Sequence, residues 1–284
     1  MADGVSLHGA LASPLYDPVR EWLENLPPES TPDPDELNAL RKPAPLSGGG
    51  VPVRFVRARE SRARTYADQF EVSTYLRGEI AVREASSHDL FNALAWLAFP
   101  HTKAAINQRH FAELERERME RGSGEDKAFS PGGKRGAARD ALTLFDESGI
   151  IVASPCAELL ELIRYRNWKS LFWVRRAQVQ RQMRFFVLGH ALHEKALQAY
   201  KGMTARALLL PVPESFLELS AALRREYVDQ QAGERVRMPA SMESTRELPP
   251  LPVMGIPEWA DNNDPGFYDD AEVFRQSTSR STDC

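Results

Sequence analysis

The clearest hydrophobic pattern lies in the middle of the chain. From Ser86 to Phe99 apolar side chains recur at helical spacing, broken by His88, Asp89 and Asn92, and Pro100 closes the run. Ser86 stands at an N-cap position three residues before Asp89. A second helix is expected over Thr102–Arg121, packed near-antiparallel to the first because the connection is tight. Its apolar start, Ala104-Ala105-Ile106, is flanked by Lys103 and Asn107, one helical turn apart.

Downstream, Ala141–Phe145 and Ile150–Val152 are two β-prone runs around Asp146-Glu147-Ser148-Gly149, which reads as a β-hairpin over 140–154. From Pro155 to Tyr200 the spacing predicts helices throughout. Val51–Val56 and Leu208–Val212 are short strand candidates. Thr65–Arg77 reads as a helix capped by Gly78, and Glu214–Gln231 as another, with Ala232–Leu248 a polar loop. Residues 1–50 hold six prolines in 27–45 and end in Ser47-Gly48-Gly49-Gly50, a Pro/Gly-rich extension expected to wrap over the surface. Residues 122–137 read as a flexible loop and 276–284 as a frayed tail. The fold class expected is mainly helical α+β: a single domain over 51–275, with a helical core, a small hairpin and a C-terminal wrapping segment.

Composition narrows the function classes. The 284 residues carry 36 Lys+Arg against 40 Asp+Glu, and this net charge of −4 does not suit a bulk nucleic-acid binder. Ala93–Phe99, the longest purely apolar run, is far too short to span a membrane. Met1–Ser13 shows no secretory pattern, and the two cysteines, Cys156 and Cys284, build no disulfide framework, so a cytoplasmic location is expected.

Several strings, taken in order, resemble a bacterial family known as domain of unknown function 3025. They are His88-Asp89-Leu90-Phe91-Asn92-Ala93-Leu94 with Phe99-Pro100 and Thr102-Lys103, then Arg139–Glu147, then Gly189-His190-Ala191-Leu192 with Glu194-Lys195. The last runs from Gly255-Ile256-Pro257 through Phe267-Tyr268-Asp269-Asp270 to Val273-Phe274-Arg275. The resemblance implies a shared fold and no particular activity.

The polar residues inside these strings are the candidates for chemistry, and each has a plainer reading. His88 and Asp89 suit a metal site or an acid–base pair, or else helix capping. Lys103, Asn107 and Asn92 could line a polar pocket for a carboxylate or phosphate, or Lys103 is simply solvated. Asp140 could play a buried role paired with Arg139, whereas Asp146 and Glu147 suit the turn. His190, His193 and Glu194 offer zinc-ligand types, but H-A-L-H-E matches neither zincin order, so a half-buried His190 sharing a helix face with Glu194, and bonded to it or to a carbonyl, is the simpler expectation. That face would also carry Met183 and Val187.

Between 160 and 186, Arg164, Arg166, Lys169, Arg175, Arg176, Arg181 and Arg184 interleave with Trp168, Phe172 and Trp173 and face Glu161 alone. Nucleic acid could stack there, but the acidic segment 255–275 is the natural cover, anchored by Trp259, Phe267, Tyr268 and Phe274. Two functional classes follow. One is a metal- or acid/base-dependent hydrolase with His190, Glu194, His88 and Asp89 as its machinery, and Asn92, Lys103, Asn107, Arg139 and Asp140 holding an anionic or phosphate-bearing substrate; a divalent metal is compatible with this set. The other is a non-enzymatic protein whose basic-aromatic helix contacts protein or nucleic acid.

Overall fold

The computed structural model describes residues 12–26, 33–58, 65–120 and 136–276. The loop expected near 122–137 and the expected tail fall mostly outside these residues.

A 3-10 turn over Pro14–Val19 leads to α1 (Arg20–Leu23) and α2 (Pro34–Leu40). Strand β1 (Arg54–Arg57) pairs in parallel with β2 (Glu79–Val82), and α3 (Phe70–Arg77) connects them. Gly78 takes φ +67° at the end of α3, as expected for a left-handed cap. Leu15, Tyr16, Val19, Leu23 and Leu37 all join the main core, so the N-terminal segment does more than wrap the surface.

Helices α4 (Ser87–Ala98) and α5 (Pro100–Glu120) follow with only Phe99 between them. Ser86 caps α4, its Oγ accepting the Asp89 N–H at 3.2 Å. Pro100 begins α5 rather than ending the helical region, since proline fits the first turn, where its missing N–H is not needed. The main packing partner of α5 is α10 (Ala221–Arg237), a later helix, and not α4.

The expected hairpin is instead α6 (Ala137–Ser148) running directly into β3 (Gly149–Ser154). Ala138, Ala141, Leu142 and Phe145 are buried at spacings of three and four, the helical period, while Asp140 and Glu147 face solvent. After α7 (Ala157–Arg164), a π-helical turn at Ser170–Val174 and α8 (Arg176–Gln182), the chain enters β4 (Arg184–Val187). A strand therefore interrupts the region expected to be helical throughout: Phe185, Phe186 and Val187 are β-favouring and pair antiparallel with β3. Helix α9 (His190–Ala196) begins only after it, so His190 does not share a helix face with Met183 or Val187. Strand β5 (Thr204–Pro211) lies parallel to β3, and β6 (Pro250–Pro252) closes a sheet of order β4-β3-β5-β6. Every residue of β3 is buried, as befits a strand covered on both faces. Helix α10 continues to Arg237, into the stretch expected to be a loop. The architecture is a mainly helical α+β fold. Among the described residues, no helix is long and apolar enough to cross a membrane.

The C-terminal segment straps the basic region as the charge pattern predicts. Asp269 pairs with Lys169, Asp270 with Lys201 at 2.8 Å, and the Arg275 carbonyl accepts from Trp168 Nε1 at 3.0 Å. Tyr268 and Phe274 are buried, and Trp259 and Phe267 pack against the core. With Trp168 and Phe172 also buried, these two aromatics present no open face on which bases could stack.

Candidate functional site

Four elements converge on one polar cluster: the first half of α4, the first turns of α5, the C-terminal half of α6 and the start of α9. Lys103, in the first turn of α5, is 2% exposed. Its Nζ donates to Asn92 Oδ1 on α4 at 2.9 Å and to Asp146 Oδ1 on α6 at 2.5 Å, and it lies 5.6 Å from the centre of the Trp96 ring. The expected meeting of Asn92 and Lys103 across the two helices therefore occurs. A buried ammonium needs this company, since an unpaired charge in an apolar interior is strongly disfavoured.

Asp146 is the centre of the arrangement. One carboxylate oxygen takes the Lys103 bond, and the other lies 3.7 Å from His190 Nδ1. Burial pushes its carboxyl up, but the nearby Lys103 ammonium, together with His190 and His110, outweighs burial and leaves it below the ordinary carboxylate range. The turn reading of Asp146 is thus overturned, because the residue sits inside a helix and faces the protein interior.

His190 reaches this place through Gly189. A Cβ on Gly189 would lie 2.5 Å from the Glu147 carbonyl oxygen and 2.6 Å from the Gly149 nitrogen. Only a glycine lets the start of α9 press so closely on the end of α6. His190 is 6% exposed, and its Nδ1 is buried without a hydrogen-bond partner. Burial lowers the imidazole to about 4 against the opposing pull of Asp146, so the ring is neutral at pH 7. The half-exposed His88 ring stands edge-on to it, with ring centres 4.6 Å apart. His110, two turns beyond Lys103 on α5, is buried with an unpartnered Nδ1 of its own.

Other expected members are held elsewhere. Glu194 does not bond to His190; its carboxylate accepts from Ser87 Oγ at 2.7 Å. Asp89 is the anchor of Arg83, accepting from its backbone N–H at 2.9 Å and from its guanidinium at 2.8 Å on each oxygen, with His88 Nδ1 at 3.3 Å. Burial pushes Asp89 up, but the Arg83 contacts prevail and hold it at about 2. Asn107 points away from the cluster, donating to the Glu71 carbonyl and carboxylate and accepting from the Gly48 N–H. Arg139 pairs with both oxygens of Glu117, not with Asp140, which is exposed. The buried role expected of Asp140 belongs to Asp146, nearly two helical turns along.

His193 is buried between Tyr16 and Phe91, with ring centres 5.6 Å away on each side, and its Nε2 meets the Leu15 carbonyl at 3.2 Å. It is a core histidine, not a ligand. Among the described residues, no three His, Cys, Asp or Glu side chains are grouped to hold a metal ion.

Residues 53–278 match the family described as "Protein of unknown function (DUF3025)". The chain belongs to this family. Neither a curated protein nor a solved structure gave a significant match. Membership agrees with the strings singled out in the sequence, and the DUF3025 match includes every member of the Lys103–Asp146–His190 cluster.

Proposed function

We propose that the cluster around Asp146 is an acid–base centre and that the chain is a hydrolase acting on a small anionic substrate. The observation that carries this reading is the setting of His190: a neutral, buried imidazole whose Nδ1 faces a carboxylate fixed by a buried lysine. A carboxylate in that position favours the tautomer with the proton on Nδ1, leaving the Nε2 lone pair to act as a base. In the proposed step, Nε2 takes a proton from water as the oxygen adds to the electrophilic centre. It then returns that proton to the departing oxygen, and Asp146 stabilises the imidazolium in between. The proposed step requires the 3.7 Å spacing between Nδ1 and Asp146 to close to hydrogen-bond distance.

The test is turnover of p-nitrophenyl phosphate and of carboxylate-bearing p-nitrophenyl esters by the full chain, beside His190→Ala and Asp146→Asn. At least one substrate is expected to turn over, with a loss of roughly 10²–10⁴-fold in His190→Ala, the usual range for a general base. A His190→Ala protein as active as the parent would overturn the reading.

A further inference from the structure

The polar cluster around Asp146 continues outward to the surface, and its outer half repeats its inner half. Inside, the buried ammonium of Lys103 holds the Asp146 carboxylate, which faces His190 Nδ1 at 3.7 Å. Outside, Arg83 grips the Asp89 carboxylate with its guanidinium fork and its backbone N–H, and His88 Nδ1 lies 3.3 Å from Asp89 Oδ1. The two imidazoles join the halves. Their rings meet edge to face, with centres 4.6 Å apart and planes at 86°. The result is a continuous row, Arg83–Asp89–His88–His190–Asp146–Lys103, that runs from an exposed arginine to a buried lysine.

Each carboxylate in the row is held by a cation of its own, so the fixed charges cancel and the imidazoles are left to gain or lose a proton. The other charged group on the α9 side, Glu194, accepts from Ser87 Oγ at 2.7 Å, and its charge acts on Arg83 at the outer end. Two imidazolium rings in contact repel, so the pair carries one proton at a time. His190 is nearly enclosed, whereas 37% of the His88 side chain is open to solvent.

We infer that His88 is the proton relay of this centre, carrying protons between His190 and bulk water. The inference rests on the acid–base reading of His190 and adds the route by which its protons leave. Hydrolysis of a carboxylic ester consumes one water and yields an alcohol, a carboxylate and one proton. The alcohol receives one of the water's protons by way of His190 Nε2. The other stays on the new acid and must reach solvent as that acid ionises. His190 takes it, and His88 takes it in turn on Nε2, directly or through one water. Asp89 keeps hold of His88 Nδ1 and offsets the imidazolium charge until Nε2 releases the proton to bulk water. Burial makes His190 a weak holder of protons, lowered to about 4, and this favours outward transfer.

The full chain is compared with His88→Gln, a change at a half-exposed position that the fold accommodates. Nitrogen-edited NMR reads exchange of the His190 ring N–H with water and needs no substrate. Exchange is expected to slow at least about tenfold in His88→Gln and to recover when imidazole is added as a small mobile base. With whichever p-nitrophenyl ester turns over, kcat of the variant should fall at low buffer concentration and rise again with added imidazole, while KM stays near the parent's. Parent-like exchange in His88→Gln overturns the relay, whether or not the esters are hydrolysed. Slowing that imidazole does not rescue marks a change of packing and overturns it too. Absence of turnover by the parent overturns the hydrolase reading alone; slowed and rescued exchange then still supports the relay.

Discussion

Asp229 and Asp146 are both buried carboxylates that engage the first turn of α5, and the protein satisfies them in opposite ways. Asp229, on α10, accepts from the backbone N–H of His101 at 2.9 Å and of Thr102 at 2.8 Å. It closes the open end of α5 in place of a local cap. Burial dominates there, and its carboxyl is raised above the ordinary value despite those bonds. Asp146 faces side chains instead, an ammonium and imidazoles, and is lowered. A carboxylate satisfied by backbone donors is locked by the fold itself. One satisfied by titratable side chains keeps partners that can gain or lose protons, which is what acid–base chemistry needs.

The largest expected effect comes from removing the ammonium. Lys103→Met leaves Asp146 without its ammonium partner, and breaking a buried pair on one side costs about 3–5 kcal/mol. Urea unfolding measures it. Lys103→Met combined with Asp146→Leu should regain most of the loss, because no lone charge remains. A single variant within about 1 kcal/mol of the parent would break the contrast with Asp229.

Next comes Asp229→Ala, which strips the acceptor from the buried Thr102 N–H and the part-buried His101 N–H. At about 1–3 kcal/mol for the buried Thr102 donor and less for the part-buried His101 donor, a loss of roughly 1–4 kcal/mol follows. Asp229→Asn retains an acceptor oxygen and should lose about half as much. If Asn were as harmful as Ala, charge rather than hydrogen bonding would be the source of the stabilisation.

Acid titration separates the two carboxylates by sign. His190 and His193 are lowered by burial to about 4 and about 3. The unfolded chain therefore binds protons first as the pH falls. Stability from each is fully present above pH ~6.5 and declines by up to about 1.4 kcal/mol per pH unit toward its folded value. Asp146, also lowered, adds to the loss below the carboxylate range. Asp229, raised, takes up its proton first in the folded state and so acts the other way. His190→Gln should flatten the dependence between pH 6.5 and 4, read from urea midpoints at several pH values; an unchanged slope would mean that His190 is not buried as a neutral ring.

This contrast explains what the sequence could and could not show. The Ser86 cap, the Gly78 turn and the aromatic anchors of the strap are local chemistry, fixed by residues a few positions apart. Asn92 and Lys103 were also readable, because a short connection brings the two helices together. Asp146 was hidden by one wrong period: Ala141–Phe145 is rich in β-prone residues, but only its helical spacing matches the buried face. Strand β4 was hidden by the helical stretches on either side of it, since pairing with β3 depends on partners about 35 residues away. His110 carried a usable signal, being two turns from Lys103 on the same helix. The trans cap by Asp229 had none, because nothing in its own neighbourhood marks it.

The smallest expected effect is the most discriminating. Sequence spacing alone pairs His190 with Glu194, one turn apart on α9, whereas the structure gives Glu194 to Ser87 and sets His190 against Asp146. Glu194→Gln preserves an oxygen that can accept from Ser87 Oγ, in a contact only partly buried. Its cost should stay under about 1 kcal/mol, the range of a single neutral hydrogen bond. The imidazole of His190, followed by NMR across pH, should titrate as it does in the parent. In Asp146→Asn the nearby negative charge is gone, so the same ring should titrate at lower pH, because burial then acts with less opposition. If Glu194→Gln moved the His190 titration and Asp146→Asn did not, the partner would be the residue one turn along, and the carboxylate facing Lys103 would be as purely structural as Asp229.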